Sequence, residues 1–382
     1  MFPILKIKAG MKYKKFQVGE NKNRNFLILY NHQTVYDQFL VGYLFNNKTY
    51  HVATDDLASI PIIGKFLEHA VHFIPYKKAS TDFSILRNCR QVASEGGNIS
   101  IAPEGNRTYS GKTGYINPTI SKMVKFLKLP VAFVSIVDGF GVMPRFADKP
   151  RKGNIKIYVC KVLEYDEYKD MSNEELTDII NKTLYHDESV ASGAFKSRKK
   201  AEYIERALYL CPDCGNKHLV SNGNYLNCPK CGLKLEYQEN KQFKLINGKN
   251  NLKNVSKWYD YQLDVLKKTN LLSLDSNKPI FRDKTKFYEV VPRKFKKVIA
   301  DDAVVTLYNN RLEVKYYDIV DKILFDDINS SGVFGKNKFN VYLDDATYQF
   351  KSFKGFNALK YVQYYYKYKL EKGENDDEFF GI

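Results

Sequence analysis

The chain has 382 residues, 44% of them hydrophobic and 14% aromatic, so a generally disordered protein is excluded and about two or three domains with buried cores are expected. The net charge of +17 predicts attraction to polyanions, which include nucleic acid, anionic membrane surfaces and phosphorylated substrates. No apolar run approaches the roughly 20 residues of a spanning helix, and no signal-peptide pattern begins the chain, so we expect a cytoplasmic protein that meets membranes from the side.

Residues 1–200 alternate apolar strand-like runs with helical stretches, which predicts an α/β domain with a mostly parallel sheet and flanking helices. The run Asn25–Tyr30 is continuously apolar, as expected for a strand buried on both faces. Further strands are predicted at Tyr50–Ala53, Val71–Pro75, Asn98–Ala102, Val131–Val137 and Ile155–Val162. Helices are predicted at Asp37–Phe45, Asp82–Glu95, Asn117–Leu127 and Asn173–Leu184, the last with Ser172 as its N-cap.

A histidine and an aspartate follow the first buried strand directly, in the run NHQTVYD at 31–37. Ligands usually bind where the strands of an α/β sheet end. Histidine can take a proton near neutral pH, and a carboxylate can fix its tautomer. Five residues of regular helix turn by roughly 140°, so the pair can meet only if His32 lies in the loop and Asp37 begins the helix. An ordinary loop histidine beside a helix-starting aspartate would give the same pattern.

A second polar segment follows another predicted strand, where Asn98–Ala102 runs into PEGNRT at 103–108. Gly105 lets backbone approach a ligand closely. The Arg107 guanidinium offers a planar fork for phosphate, and the Glu104 carboxylate can accept from a hydroxyl. A charged turn with a solvated arginine is the alternative interpretation.

Together the two segments resemble the glycerolipid acyltransferase family, typified by 1-acylglycerol-3-phosphate acyltransferase. The signature N-H-x-x-x-x-D corresponds to Asn31, His32 and Asp37, and the signature P-E-G-x-R corresponds to residues 103–107. The second family block resembles Phe73–Tyr76, and the fourth resembles Leu129–Val131. The resemblance covers about residues 15–190, with the blocks in the family's order and spacing.

The resemblance implies a mechanism and a set of binding roles. His32 would act as general base on the acceptor hydroxyl, Asp37 would orient it, and the hydroxyl would attack an acyl thioester directly. Glu104 and Gly105 would shape the acceptor site, and Arg107 would bind phosphate. The donor would be acyl-CoA or acyl carrier protein, and the acceptor a lysophospholipid such as 1-acylglycerol-3-phosphate. The chain offers no persuasive serine or cysteine nucleophile, such as a G-x-S-x-G elbow, in agreement with direct transfer.

One position departs from the family pattern. The second block usually ends in an arginine that helps to hold the acceptor phosphate, and Tyr76 stands there, followed by Lys77 and Lys78. Lysine supplies a point charge without bidentate geometry. This departure favours an acceptor with a head group other than glycerol phosphate, for example that of a glycolipid or another polar lipid.

Four cysteines form two C-x-x-C knuckles in residues 201–245, Cys211 with Cys214 and Cys228 with Cys231. A glycine follows each knuckle, and two such knuckles can place four thiolates tetrahedrally around Zn²⁺. The segment resembles a zinc ribbon with a closed structural site. A redox dithiol is the alternative, which two spaced pairs disfavour.

The remainder divides by composition into a basic connector at 246–300, a β-rich module at 301–370 and an acidic tail at 371–382. Asn309 and Asn310 mark a hairpin turn, strands are predicted on either side of it and at about 322–328, 338–343 and 347–350, and a helix is predicted at about 356–370. This pattern resembles the pleckstrin-homology or GRAM-type fold.

Basic and aromatic residues at 1–15 and 293–297 predict peripheral binding to anionic lipid on the inner face of the membrane. Solvated lysines are the alternative. A hypothesis of a different class also fits the charge. The protein would then be a basic zinc-ribbon protein that binds nucleic acid and carries an inactive acyltransferase-like domain.

Overall fold

The structure is a computed structural model that describes residues 10–13, 24–54, 72–76, 84–250, 252–291, 296–352 and 354–374. The chain forms two compact units. The N-terminal unit comprises Met1–Arg145, Pro150–Glu188 and Ser192–Phe195, and the C-terminal unit comprises Phe146–Lys149, Ser189–Ala191 and Lys196–Ile382.

The N-terminal unit contains a seven-stranded mixed sheet in the order β1-β7-β6-β2-β5-β3-β4. Its strands are β1 (Gly10–Tyr13), β2 (Leu27–Tyr30), β3 (Thr49–Thr54), β4 (Phe73–Tyr76), β5 (Asn98–Ile101), β6 (Val131–Val137) and β7 (Asn154–Leu163). Every neighbouring pair is parallel except β6 and β7. The predicted α/β sheet is therefore present, and the reversal at β7 is an addition to it.

The helices of this unit are α1 (Asp37–Leu44), α2 (Ser84–Ser94), α3 (Thr119–Leu127), α4 (Gly139–Val142), α5 (Tyr165–Tyr168) and α6 (Asn173–Leu184). Ser172 caps α6 as predicted, since its hydroxyl accepts from the Glu175 amide and the Glu175 carboxylate accepts from the Ser172 amide. Between β6 and β7 the chain forms only the one-turn helix α4, and β7 returns antiparallel to β6.

Both faces of the central strand β2 are buried, as its apolar sequence predicts. Leu27 and Leu29 pack in one core with side chains of α2, α3 and α6. Ile28 and Tyr30 pack in a second core with α1. The sheet is thus a rigid layer between two apolar cores, and the loop after β2 starts from a well-anchored strand.

The C-terminal unit contains two antiparallel sheets. The smaller has the order β11-β10-β9-β8, and the larger has the order β15-β14-β13-β12-β18-β17-β16. The smaller sheet comprises β8 (Val220–Asn222), β9 (Tyr225–Asn227), β10 (Lys234–Tyr237) and β11 (Phe243–Asn247). The larger comprises β12 (Phe281–Glu289), β13 (Lys297–Leu307), β14 (Arg311–Tyr316), β15 (Ile319–Leu324), β16 (Ser330–Phe334), β17 (Lys338–Tyr342) and β18 (Thr347–Lys351).

The segment 246–300 is not the connector that its composition predicts. It contains the helix α7 (Val255–Lys268) and the strand β12, which pairs with both β13 and β18. The buried Trp258 indole donates to the Leu210 carbonyl at 2.7 Å, so α7 packs beside the cysteine segment. The lysines of α7 and β12 lie on the exposed side of these elements, which explains why the composition of the segment resembles that of a linker.

Residues 301–370 form most of the larger sheet, and the helix α8 (Leu359–Glu371) follows it. The asparagine hairpin is where we predicted it, between β13 and β14. The strand predicted at 322–328 instead spans Ile319–Leu324, and β16 was not predicted. The acidic tail predicted at 371–382 starts too early, because Glu371 belongs to α8 and accepts from the Leu271 and Leu272 amides. Residues 375–382 lie outside the described residues. The pleckstrin-homology or GRAM assignment stays a prediction.

Across the described ranges, the helices include none that combines the length and the apolar character needed to cross a bilayer.

Candidate active site and metal centre

Asn31 determines where the chain leaves the sheet. Its side-chain amide donates to the Ile136 carbonyl at 2.9 Å, and its side-chain oxygen accepts from the Ile136 amide at 2.8 Å. These two bonds imitate a backbone pair, so they extend the pairing of β2 with β6 by one residue. The following residue, His32, therefore starts from a fixed point at the carboxyl end of a central strand.

His32 and Asp37 meet in the geometry that the sequence requires, with the histidine in the loop and the aspartate at the first position of α1. His32 Nδ1 lies 2.9 Å from Asp37 Oδ2. The carboxylate is fully buried and also accepts from the Gln33 amide (2.6 Å), the Thr34 amide (2.9 Å) and the Thr34 hydroxyl (2.6 Å). A carboxylate surrounded by donors acts as an acceptor, so we assign the proton of the imidazole to Nδ1.

This assignment leaves His32 Nε2 as the unprotonated nitrogen. The imidazole is 14% exposed, and within the described ranges no protein group hydrogen-bonds Nε2. An imidazole held by a carboxylate on one nitrogen and open on the other can accept a proton from a bound hydroxyl.

The PEGNRT turn holds the backbone of His32 from both sides. The His32 amide donates to Glu104 Oε1 at 2.7 Å, and the His32 carbonyl accepts from the Thr108 amide at 3.1 Å. The two motifs are therefore joined at the histidine although they are about 70 residues apart in the sequence. This contact places the P-E-G-x-R turn directly against the histidine loop.

Glu104 serves the backbone in this structure. It is 7% exposed, and its second oxygen accepts from the Gly114 amide at 2.6 Å. Burial raises the pKa of Glu104 to about 8, against the lowering effect of the Gly114 and His32 amides. We expected this carboxylate to accept from a substrate hydroxyl, whereas its two oxygens hold the loops that carry the histidine.

Gly105 forms the tight turn after Glu104. Its amide donates to the Ala102 carbonyl at 3.0 Å, and its φ is +65°. A methyl group at this position would meet no atom within 4 Å. The glycine is thus required by its left-handed backbone conformation and not by crowding.

Arg107 lies beside a second arginine that sequence reasoning missed. Its Nη1 atom is buried and has no hydrogen-bond partner in the described part of the chain. Arg145 donates from Nη1 to the Arg107 carbonyl at 2.8 Å, and its guanidinium lies 4.1 Å from the centre of the Tyr109 ring. Burial first, and then the charge of Arg145, lowers the pKa of Arg107 to about 10.

The position of Arg145 in the chain is the sequence signal that could have identified it as a residue of this site. It follows β6, and the loops after neighbouring parallel strands share one edge of a sheet. Gln33 was also missed: it is fully buried, and neither amide atom of its side chain has a hydrogen-bond partner among the residues described.

The structure describes little of two further residues that the sequence predicts at the site. Tyr76 ends β4, and its side chain is not among those described. Lys77 lies outside the described residues.

The four cysteines converge in the C-terminal unit. All four sulfur atoms lie within 4.8 Å of one another. Cys211 and Cys231 have their sulfurs 3.6 Å apart, and the Cys214 and Cys228 sulfurs are 3.7 Å apart. Four thiolates at about 2.3 Å from a tetrahedral Zn²⁺ would be separated by about 3.8 Å, so the spacing fits a bound metal ion.

Comparison with known proteins agrees with the motifs. Residues 14–137 match the family model described as Acyltransferase. No curated protein sequence matches significantly. Among solved structures, the chain is similar to the 1-acyl-sn-glycerophosphate acyltransferase PlsC from Thermotoga maritima, with 19% identity over 46% of this chain and 69% of that chain. The TM-score of this match is 0.38.

Proposed function

We propose that this chain, whose residues 14–137 match the Acyltransferase family model, transfers a fatty-acyl group from a thioester to the free hydroxyl of a lysophospholipid. The observation that carries this proposal is His32. Its Nδ1 is held by Asp37, its backbone is held by the PEGNRT turn, and its Nε2 is open to a bound hydroxyl.

The proposed step is a direct transfer. His32 Nε2 takes the proton of the acceptor hydroxyl as that oxygen attacks the thioester carbonyl carbon. A carbon–oxygen bond forms, the carbon–sulfur bond breaks, and the departing sulfur takes the proton back from the imidazolium. Asp37 stabilises the transient positive charge on the ring. General-base assistance of this kind contributes about 10²–10⁴-fold in rate.

For the acceptor, the proposal is 1-acylglycerol-3-phosphate or a similar lysolipid, with Arg107 at its phosphate. The unpartnered Nη1 atom of Arg107 supports this role, because a phosphate oxygen would satisfy it. A glycolipid or another polar lipid is the second candidate acceptor. Tyr76, in place of the arginine usual in the second block, is the observation that favours it.

The acyl donor in this proposal is acyl-CoA or acyl carrier protein. The protein would act at the inner face of the membrane. The net charge of +17 supports contact with anionic lipids. The ion at the four cysteines is proposed to be zinc in a purely structural role, because four thiolates complete a tetrahedral shell and leave no position for substrate.

The test uses the purified full chain with acyl-CoA or acyl carrier protein as donor and a panel of lysolipid acceptors, with products identified by mass spectrometry. We expect phosphatidic acid from 1-acylglycerol-3-phosphate, and a loss of at least about 100-fold in kcat in His32→Ala.

His218→Ala is the matched control, since it removes an exposed imidazole from the C-terminal unit. Transfer only to a glycolipid acceptor would favour the second candidate. Unchanged transfer in His32→Ala would contradict the base assignment, and tight salt-sensitive nucleic-acid binding without any transfer would favour the nucleic-acid alternative.

A further inference from the structure

Two arginines from different loops meet near the histidine. Arg107 lies in the turn after β5, and Arg145 lies beyond the end of β6. The 2.8 Å bond from Arg145 Nη1 to the Arg107 carbonyl joins the two loops. Arg145 is only 3% exposed, so this hydrogen bond and the charge of the Arg145 guanidinium are both buried.

A buried guanidinium group is unfavourable unless acceptors meet its donors. The charge of Arg145 acts on Arg107 strongly enough to help lower its pKa. Arg107 Nη1 is a buried donor without an acceptor in the described chain. A buried donor that lacks an acceptor in the protein points to a ligand that supplies one.

The arginine pair is close to the proposed base. Thr108, the residue after Arg107, donates its amide to the His32 carbonyl at 3.1 Å. Asp37, the partner of His32, is among the charges that act on Arg107. An anion held by the two arginines would therefore lie beside the loop that carries the imidazole.

We propose that Arg145 supplies the second guanidinium of a two-arginine site, which together with Arg107 holds the phosphate of the acyl acceptor. This inference rests on the proposed acyl transfer. A phosphate monoester carries close to two negative charges at neutral pH and accepts bidentate hydrogen bonds, so it matches two guanidinium groups in charge and in geometry. Arg145 then determines specificity for phosphate-bearing acceptors.

The test compares two acceptors that share one acyl chain, 1-acylglycerol-3-phosphate and 1-acylglycerol. In Arg145→Gln we expect kcat/KM for the phosphate acceptor to fall about 10–100-fold, mainly through KM, because charge-assisted hydrogen bonds are lost. We expect the kinetics with 1-acylglycerol to stay within about threefold of the wild type. Arg145→Lys keeps the charge without the planar fork and should recover part of the loss.

A purely structural role for Arg145, as a brace for the Arg107 carbonyl, predicts a different outcome. Both acceptors would then lose activity equally, and that result would overturn the proposal. A rise in KM for acyl-CoA with an unchanged KM for the phosphate acceptor would also overturn it, since the anion would then belong to the donor. Arg151→Gln, which removes another buried arginine of the same unit, is the matched control.

A binding measurement separates this inference from the transfer reaction itself. Glycerol 3-phosphate should raise the melting temperature of the wild type and of Arg151→Gln, and should leave that of Arg145→Gln unchanged. If Arg145→Gln does not fold, Arg145→Lys provides the same comparison with a reduced shift. Absence of any shift in the wild type overturns the two-arginine site, whereas a normal shift in a protein that transfers no acyl group to any acceptor overturns only the proposed function.

Discussion

The histidine site and the cysteine site are built in opposite ways. His32 meets Glu104 across 72 positions of the chain, through loops that follow two different strands. The cysteine sulfurs meet across only 14 and 20 positions, and each knuckle is a local turn. The first site therefore depends on the sheet that brings the loops together, and the second depends on short-range geometry.

The two sites also differ in how their polar groups are satisfied. Asp37 and Glu104 are surrounded by backbone and hydroxyl donors, so the histidine site keeps its shape with protein groups alone. At the cysteine site, four sulfur atoms face one another within 4.8 Å, and Asn216 Nδ2 lies 3.5 Å from Cys228 Sγ. Four thiolates at this spacing would repel one another strongly. We therefore expect the C-terminal unit, and not the histidine loop, to depend on a bound cation.

The largest expected effect is the fall in stability that follows the loss of that cation. The wild type should contain about one zinc ion per chain, and Cys228→Ser should lose it, with a large fall in stability, because structural zinc sites contribute about 10 kcal/mol or more. Metal analysis by mass spectrometry and thermal unfolding measure the two quantities. Cys160→Ser, an exposed thiol outside the cluster, is the control. A metal-free chain that unfolds at the wild-type temperature would contradict the expectation.

Replacement of Asp37 by asparagine should have the next largest effect. The amide cannot accept from all the donors that now surround the carboxylate, and it no longer fixes the proton on His32 Nδ1. By analogy with histidine–aspartate pairs in general, we expect kcat to fall about 10⁴-fold. Steady-state kinetics measures it, with the exposed Asp178→Asn as control. A loss below about tenfold would mean that His32 is oriented without Asp37.

Glu104 should make the stability of the protein depend on pH. Its folded pKa is raised from 4.5 to about 8, so the native state holds this proton more tightly than the unfolded state. The resulting stabilisation is complete below about pH 4.5 and is lost as the pH rises through about 8. The free energy of unfolding should therefore fall over this range more steeply in the wild type than in Glu104→Gln.

Urea unfolding at a series of pH values measures the slope for Glu104. The exposed Glu95→Gln is the control and should keep the wild-type slope. Identical slopes in the wild type and Glu104→Gln would show that burial does not hold the proton on Glu104.

The smallest expected effect is the loss of stability when a turn glycine is replaced, and it should be the same at the histidine site and at the cysteine site. Gly105 has a φ of +65° and Gly215 a φ of +67°, and a methyl group at either would meet no atom within 4 Å. Alanine at each position should cost about 1–2 kcal/mol of unfolding free energy, and asparagine should cost less. Chemical denaturation measures both. Two clearly unequal costs would show that one of the turns contributes more than its backbone conformation.

Features that rest on local geometry could be predicted from the amino-acid sequence alone. Period and composition predicted most strands of the N-terminal sheet, Ser172 could be recognised as a helix cap, and His32 and Asp37 lie close enough in the chain to meet through one loop. The cysteine spacing likewise predicted a cluster that the structure contains. These features need only neighbouring residues, and neighbouring residues are what sequence patterns record.

Contacts between groups that are distant in the chain became known only from the folded structure. It turned β7 antiparallel, placed β12 in the C-terminal sheet, and engaged Glu104 with the His32 backbone. It also brought Arg145 to Arg107, a contact that no spacing rule predicts. Long-range partners are selected by strand order and loop packing over the whole unit, and a single sequence carries that information only in the sum of many weak interactions.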